Sequence, residues 1–265
     1  MPNRGDAVGE DSWREAIAMA SHCTFRERER RDLRRLREEH ADSADCLNDF
    51  EVDRATERLM LDRPLPTLNC TEGPGDTTHL TVADAEGNIV ALTQSIQSVF
   101  GAKVANPDLG FVYNNYLCTC PRNPHPNELR PGCVPQSNAA PTIVLSESAE
   151  GVTPLIALGA AGSRRITSAL LQVISQVVDR GKRIDEAIAA PRLHGLLSGK
   201  VWIEQPIASE GLVARLHRSF KEVVVKPPHS FGMACVQGLQ WHSDGTMCAA
   251  ADPRRDGTGE VLRED

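Results

Sequence analysis

The sequence predicts a layered α+β domain, and three observations lead there. Runs that alternate apolar and polar residues open the middle of the chain, amphipathic helical runs follow them, and strand-like runs return at the end. Strands, then helices, then strands fit stacked α/β/β/α layers around one core. The 265 residues with 40% hydrophobic content are enough to build such a core.

Taken in order, residues 12–40 read as helical. SWREAIAMA supplies an apolar start, and FRERERRDLRRLREEH then interleaves acids and bases at helical spacing, the pattern of a solvated, ion-paired face. From Asp62 to Asp76 the chain runs DRPLPTLNCTEGPGD, rich in Pro, Gly and turn formers, which predicts an exposed linker. The chain therefore divides into residues 1–76, helix plus linker, and a domain at 77–265. THLTVADAEGNIVALTQSI predicts two strands around the turn AEGN. Residues 105–136, dominated by Pro, Gly and Asn, predict long functional loops. APTIVL and TPLIALGAAG predict two more strands, and SALLQVISQVVDRG a helix stopped by its glycine. IDEAIAAPRLHG reads as a short helix ending near Pro191, GLVARLHRSF as another, and KEVVV, MACVQGLQW and TMCAAAD as the last strands.

Charge and composition exclude several functions. A formal net charge of -7 and six Phe, two Tyr and three Trp argue against a basic, base-stacking nucleic-acid surface. No apolar run is long enough to cross a bilayer. MPNRGDAVGEDSWREA lacks the apolar stretch of a secretory signal, so the chain as written reads as cytoplasmic. The eight cysteines read as free thiols; Cys118, Cys120 and Cys133 lack the CxxC spacing and fourth ligand of a zinc site, so no metal is expected. No phosphate-gripping or dinucleotide fingerprint is present, and no cofactor is expected.

Chemistry is concentrated at DTTH, just past the linker. A threonine at a chain terminus is both nucleophile and base, because its free α-amine takes the hydroxyl proton. Exposing that amine requires a cut in front of the threonine, and its own hydroxyl attacking the preceding carbonyl would make it. Scission is thus expected between Asp76 and Thr77. The bland readings are a Thr-Thr pair chosen for β-propensity, a structural His79 and a tight turn at GAAG.

The string TTHL, the DAEGN turn, Phe100-Gly101 and Asn114-Asn115 resemble the gamma-glutamyltranspeptidase family. APTIVL, GAAGSRRITSALLQVI, DEAIAAPRLHG and AAADPRRDG continue the resemblance in order over nearly everything after Thr77. The resemblance implies an N-terminal-nucleophile hydrolase with a four-layer αββα sandwich. It implies that Thr77 attacks a γ-glutamyl amide such as glutathione and passes the acyl group to water or an amine. Ser95 falls where the family has a threonine bonded to the nucleophile, and Gly162 and Ser163 fall on its oxyanion-hole loop, whose N–H groups stabilise developing negative charge. Arg192, His194 and Arg254 read as fold-bracing residues.

The substrate positions of the family depart from its pattern. The family's glutamyl-binding asparagine falls on Gln97, its glutamine on Tyr116, and the acid that grips the α-amine on Thr119 or Cys120. Its carboxylate-binding Ser-Ser pair falls on Ser137 and Asn138, and its second loop glycine on Ser163. A site built for two charges discriminates strongly, so these changes point also to a non-glutamyl amide or acyl bond of specialised metabolism. The family carries a much longer large subunit before its threonine, and residues 12–40 look like the tail of one. The resemblance therefore implies either a large-subunit partner chain that completes the sandwich, or an unprocessed, inactive subunit.

Overall fold

The computed structural model describes residues 9–30, 75–121, 125, 127–132, 135–149 and 151–262. Residues 31–40 of the expected first helix, residues 62–74 of the linker, and Cys133 lie outside them. Helix α1 (Glu10–Arg30) opens with Glu10 and Asp11, whose charges suit the positive end of the helix dipole, and Arg14 reaches back one turn to Glu10 at 2.8 Å.

Strands β1 (Asp76–Ala83) and β2 (Ile89–Gln97) form the expected antiparallel hairpin, pairing Thr77 with Ser95, Leu80 with Leu92 and Val82 with Val90. Asp84 shapes the turn by accepting from the Glu86 and Asn88 N–H groups at 3.0 and 2.9 Å. The period of two sends Thr77, His79 and Thr81 to one face and Leu80 and Val82 to the other. A short ribbon follows, β3 (Ala105–Asn106) with β4 (Phe111–Val112), and then a 3₁₀ turn at Tyr116–Thr119.

Strands β5 (Thr142–Ser148) and β6 (Gly151–Ala161) join β10 (Cys235–Trp241) and β11 (Met247–Ala251) in an antiparallel sheet ordered β11-β10-β6-β5. Helices α2 (Arg165–Val178) and α3 (Ile184–Ala189) cover one face of it. There Ile156, Leu158, Ala160 and Val236 of the strands meet Ile166, Leu170, Val173, Ile184 and Ile188, all fully buried. The β1–β2 hairpin lies on the opposite face, where His79 packs against Gly159. Helices, sheet and hairpin are three stacked layers. On the hairpin's outer face Leu80, Val82, Val90 and Leu92 are 42, 57, 53 and 40% exposed.

A second core lies beside the first. Strands β7 (Leu193–Gly195) and β8 (Lys200–Glu204) pair antiparallel, and β8 pairs in parallel with β9 (Glu222–Lys226), reached through α4 (Glu210–Ser219). Helix α1 buries Ile17, Ala18, Met19 and Cys23 against Leu193, Val201, Ile203, Leu212, Leu216 and Phe220. Polar contacts fix its angle: Trp13 Nε1 donates to Ser175 Oγ at 3.0 Å, Arg215 Nε to Glu15 at 2.9 Å, and Arg180 pairs with Glu10. The apolar start of the expected helix is thus a wall of the fold.

Candidate active site

Thr77 is the second residue of β1 and turns inward, so its side chain meets that of its cross-strand partner. Thr77 Oγ1 and Ser95 Oγ are 3.0 Å apart. Ser95 also donates to the backbone oxygen of Asp76 at 3.0 Å and accepts from the Gln97 N–H at 3.1 Å. A hydroxyl has one proton, so with it on the Asp76 oxygen the Thr77 hydroxyl is left to donate to Ser95. One serine therefore touches both the hydroxyl of Thr77 and the carbonyl that precedes it.

Local backbone irregularity makes this possible. The ladder slips between Asp76 and Thr77, and Gln97 takes φ 73°. A β-carbon on Gly75 would lie 2.7 Å from the Gln97 oxygen, so only glycine admits this approach. Asp76 is tied down in turn, its Oδ2 accepting from the Phe100 N–H at 3.1 Å.

The cleft over Thr77 is lined by Gly75, Ser95, Gln97, Tyr116, Asn138, Ala139, Ser163 and Ile166. Of the residues singled out from sequence, Thr77, Ser95, Gln97, Tyr116, Asn138 and Ser163 thus share one cleft. Ser137 stands behind it, its hydroxyl 3.1 Å from Tyr116 Oη and accepting from the Ala139 N–H at 3.1 Å. Thr119 is not in the lining; its hydroxyl donates to the Tyr116 carbonyl at 2.8 Å and closes the 3₁₀ turn that presents Tyr116. Asn115 ties this loop to Ser98, and Asn114 accepts from the Tyr116 N–H. Arg28, at the end of α1, donates to Asn138 Oδ1 at 2.6 Å and to the Ser137 carbonyl at 3.4 Å, bringing a cation to the rim. Its sequence context, an alternation of charges, conceals that role.

Gly162 and Ser163 leave β6 at φ 147° and 57° and start α2, the Gly162 and Ser163 carbonyls accepting from the Arg165 and Ile166 N–H groups. Ala234 backs this loop: a β-carbon on Gly162 would fall 2.6 Å from that of Ala234. Ala234 has φ 66° and ψ 166°, a region nearly reserved for glycine that costs an alanine about 1–3 kcal/mol. Behind it four charged residues are buried. Arg192 pairs with Asp252 at 2.7 Å, and Arg254 with Asp252 at 3.0 Å and Glu204 at 2.5 Å. Burial works to raise the Asp252 carboxyl, but Arg192 and Arg254 outweigh it and hold it below the usual carboxylate range. Arg192 and Arg254 also donate to the Ile188 carbonyl, so they brace the chain as expected.

His79 stands two residues from Thr77 but faces the sheet rather than the cleft. It is buried between Thr93 and Thr81, whose hydroxyls lie 2.9 Å from its two ring nitrogens. Burial pushes its pKa down to about 4, so the ring is neutral. Among the described residues no group of three His, Cys, Asp or Glu could hold a metal ion, and Cys118, Cys235 and Cys248 are free thiols.

The layered fold is that of the N-terminal-nucleophile hydrolases. The cephalosporin acylase of Bacillus halodurans superposes with a TM-score of 0.64 over 80% of this chain and 39% of its own, at 23% identity. A mutant of the Helicobacter pylori gamma-glutamyltranspeptidase superposes with a TM-score of 0.57 at 30% identity, over 67% of this chain and all of the other. The chain belongs to the gamma-glutamyltranspeptidase family, whose model matches residues 34–262. It is 37% identical to the acylase ACY 1 proenzyme of Pseudomonas sp. strain SE83 over 69% of this chain and 31% of that protein. It is 29% identical to the glutathione hydrolase proenzyme of Bacillus subtilis over 69% of this chain and 30% of that protein. The chain thus spans about a third of the length of these relatives.

Proposed function

We propose that this chain is a threonine-nucleophile acyltransferase and amidohydrolase that cuts its own backbone between Asp76 and Thr77. One observation carries the reading: Ser95 holds the Thr77 hydroxyl and the Asp76 carbonyl oxygen together. In self-cleavage the Thr77 oxygen bonds to the Asp76 carbonyl carbon as its proton passes to Ser95 while the proton of Ser95 passes to the carbonyl oxygen, which relieves the growing negative charge there and leaves the hydroxyl proton that later reaches the Thr77 nitrogen. The C–N bond breaks with a proton going to the Thr77 nitrogen, leaving an ester. Water then hydrolyses the ester to an Asp76 carboxylate and a free Thr77 with its hydroxyl and amine. That amine becomes the base for attack on a substrate amide, and the Gly162 and Ser163 N–H groups receive the oxyanion. The relatives' designation as proenzymes supports the order of events.

The default substrate is a γ-glutamyl amide such as glutathione. A second reading, an acyl group that keeps the distal carboxylate but lacks the α-amine, is favoured by the cleft itself. Among the described residues none lining it is Asp or Glu, so no carboxylate there meets an ammonium, while Arg28, bonded to Asn138, brings positive charge to the rim. The apolar outer face of the hairpin is the natural seat of a further layer, supplied by a large-subunit partner.

Intact-mass analysis of the wild type beside Thr77→Ala tests the nucleophile. Fragments ending at Asp76 and beginning at Thr77 in the wild type alone support it. An intact wild type that stays intact with a family large subunit added refutes it. Glutaryl and γ-glutamyl p-nitroanilides then separate the two substrate readings.

A further inference from the structure

We propose that Ala234 is a positioning residue, a wedge locked by the buried Arg192, Asp252, Arg254 and Glu204, that fixes where the Gly162 and Ser163 N–H groups point. The proposal rests on the reading of Gly162–Ser163 as the oxyanion loop.

The geometry is that of two strand ends turned against each other. The β6–β10 ladder ends at the pair Ala161 and Cys235. Gly162 and Ala234 are the next residues outward, and both leave extended geometry there at positive φ. They press together so closely that a side chain on Gly162 would meet both the Cα and the Cβ of Ala234, at 2.7 and 2.6 Å. The direction of the Gly162 peptide is therefore set by where Ala234 stands.

Ala234 is in turn pinned against its own preference. Arg192 Nη1 donates to its carbonyl at 3.2 Å, and Asp252 Oδ2 accepts from the Val236 N–H at 2.8 Å, so the ion pair grips both sides of Cys235. Arg254 fastens Asp252 to Glu204, and Glu204 accepts from the Ser230 N–H at the head of the 3₁₀ turn that delivers Ala234. Arg192, Glu204, Asp252 and Arg254 are 1, 0, 1 and 4% exposed. Stability alone does not call for such a group, since well-packed apolar residues of the same volume commonly serve as well. A glycine-type conformation held on an alanine, next to a loop that must aim two donors, is what an over-determined positioning device looks like.

Ala234→Gly tests it, because stability and function should then move in opposite directions. Glycine relieves the backbone conformation but removes the β-carbon that bears on Gly162. The thermal midpoint should hold or rise, while amide hydrogen exchange over residues 161–166 quickens roughly tenfold. kcat, on whichever amide the wild type turns over, should fall roughly 10- to 100-fold with KM little changed. Ala234→Ser, which restores a β-carbon, should recover both exchange and kcat. Unchanged loop exchange and unchanged kcat in a stable Ala234→Gly protein would overturn the proposal. Faster loop exchange in a chain whose wild type, with a family large subunit added, turns over no amide would support the wedge and refute the oxyanion reading on its own.

Discussion

The imidazole of His79 occupies the space in which a β-carbon on Gly159 would stand, 2.2 Å from Cε1 and 2.3 Å from Nδ1. This contact is the seam between the hairpin that carries Thr77 and the sheet beneath it. Thr93 and Thr81 hold the ring from both sides, so it cannot retreat. Gly159→Ala is expected to cost about 2 kcal/mol by overpacking. Thermal unfolding should show the midpoint falling by roughly 4–8 °C.

The same ring makes stability depend on pH. Its folded pKa of about 4 lies below the unfolded value near 6.5, so folding favours the neutral form. The stabilisation is complete above about pH 6.5 and is lost as pH falls from there toward 4. His194, pushed by burial to about 3, acts in the same sense. From its shift alone, His79 should remove roughly 2 kcal/mol between pH 7.5 and pH 5. Thermal melts across that range should show a shallower decline in His79→Gln than in the wild type; equal slopes would exclude His79 as the titrating group.

Removing the Ser95 hydroxyl should slow the chemistry far more than it loosens the fold. Ser95→Ala is expected to slow self-cleavage by about 10²-fold, the usual effect of losing one donor to a developing oxyanion. The thermal midpoint should change by the equivalent of about 1 kcal/mol or less, because the site is only partly buried. Ser95→Thr, which keeps the hydroxyl, should cleave at a rate close to wild type. Time courses of intact mass separate the three.

Much of this was legible in sequence because it is local. Alternation marks β1 and β2, and the cross-strand meeting of Thr77 with Ser95 follows from the hairpin's register. The runs ending at Gly181 and Phe220 become α2 and α4 because their apolar spacing buries one face. Strands β7 and β8 were not read: Leu193–Gly195 is too short to show a period, and Lys200–Glu204 is defined by its parallel partner β9, brought in from across α4. Arg28 was hidden among neighbouring charges, and Ala234 lies in a stretch, MACV, that reads as plain strand. Their roles come from groups more than a hundred residues away in one case, and about forty in the other.

The outer face of the hairpin gives a contrast between exposed and buried apolar residues. Leu80→Ser and Leu92→Ser should each cost no more than about 1 kcal/mol, because both residues are already about two-fifths exposed. Ile156→Ala, in the fully buried core, should cost about 2–5 kcal/mol. Urea unfolding of the three variants checks this. A cost of several kcal/mol at Leu80 or Leu92 would mean that the face is covered in solution.

Helix α1 supplies one side of the second core, yet it precedes Thr77 in the chain. A break at Asp76 would therefore turn an internal packing surface into a contact between two separate polypeptides. The tether that gives α1 a high effective concentration would be gone, and its retention would depend on a dissociation rate and on dilution. The processed protein would then have a shelf life set partly by how slowly Ile17, Met19 and Cys23 leave their seat, and Arg28 would leave the cleft with them.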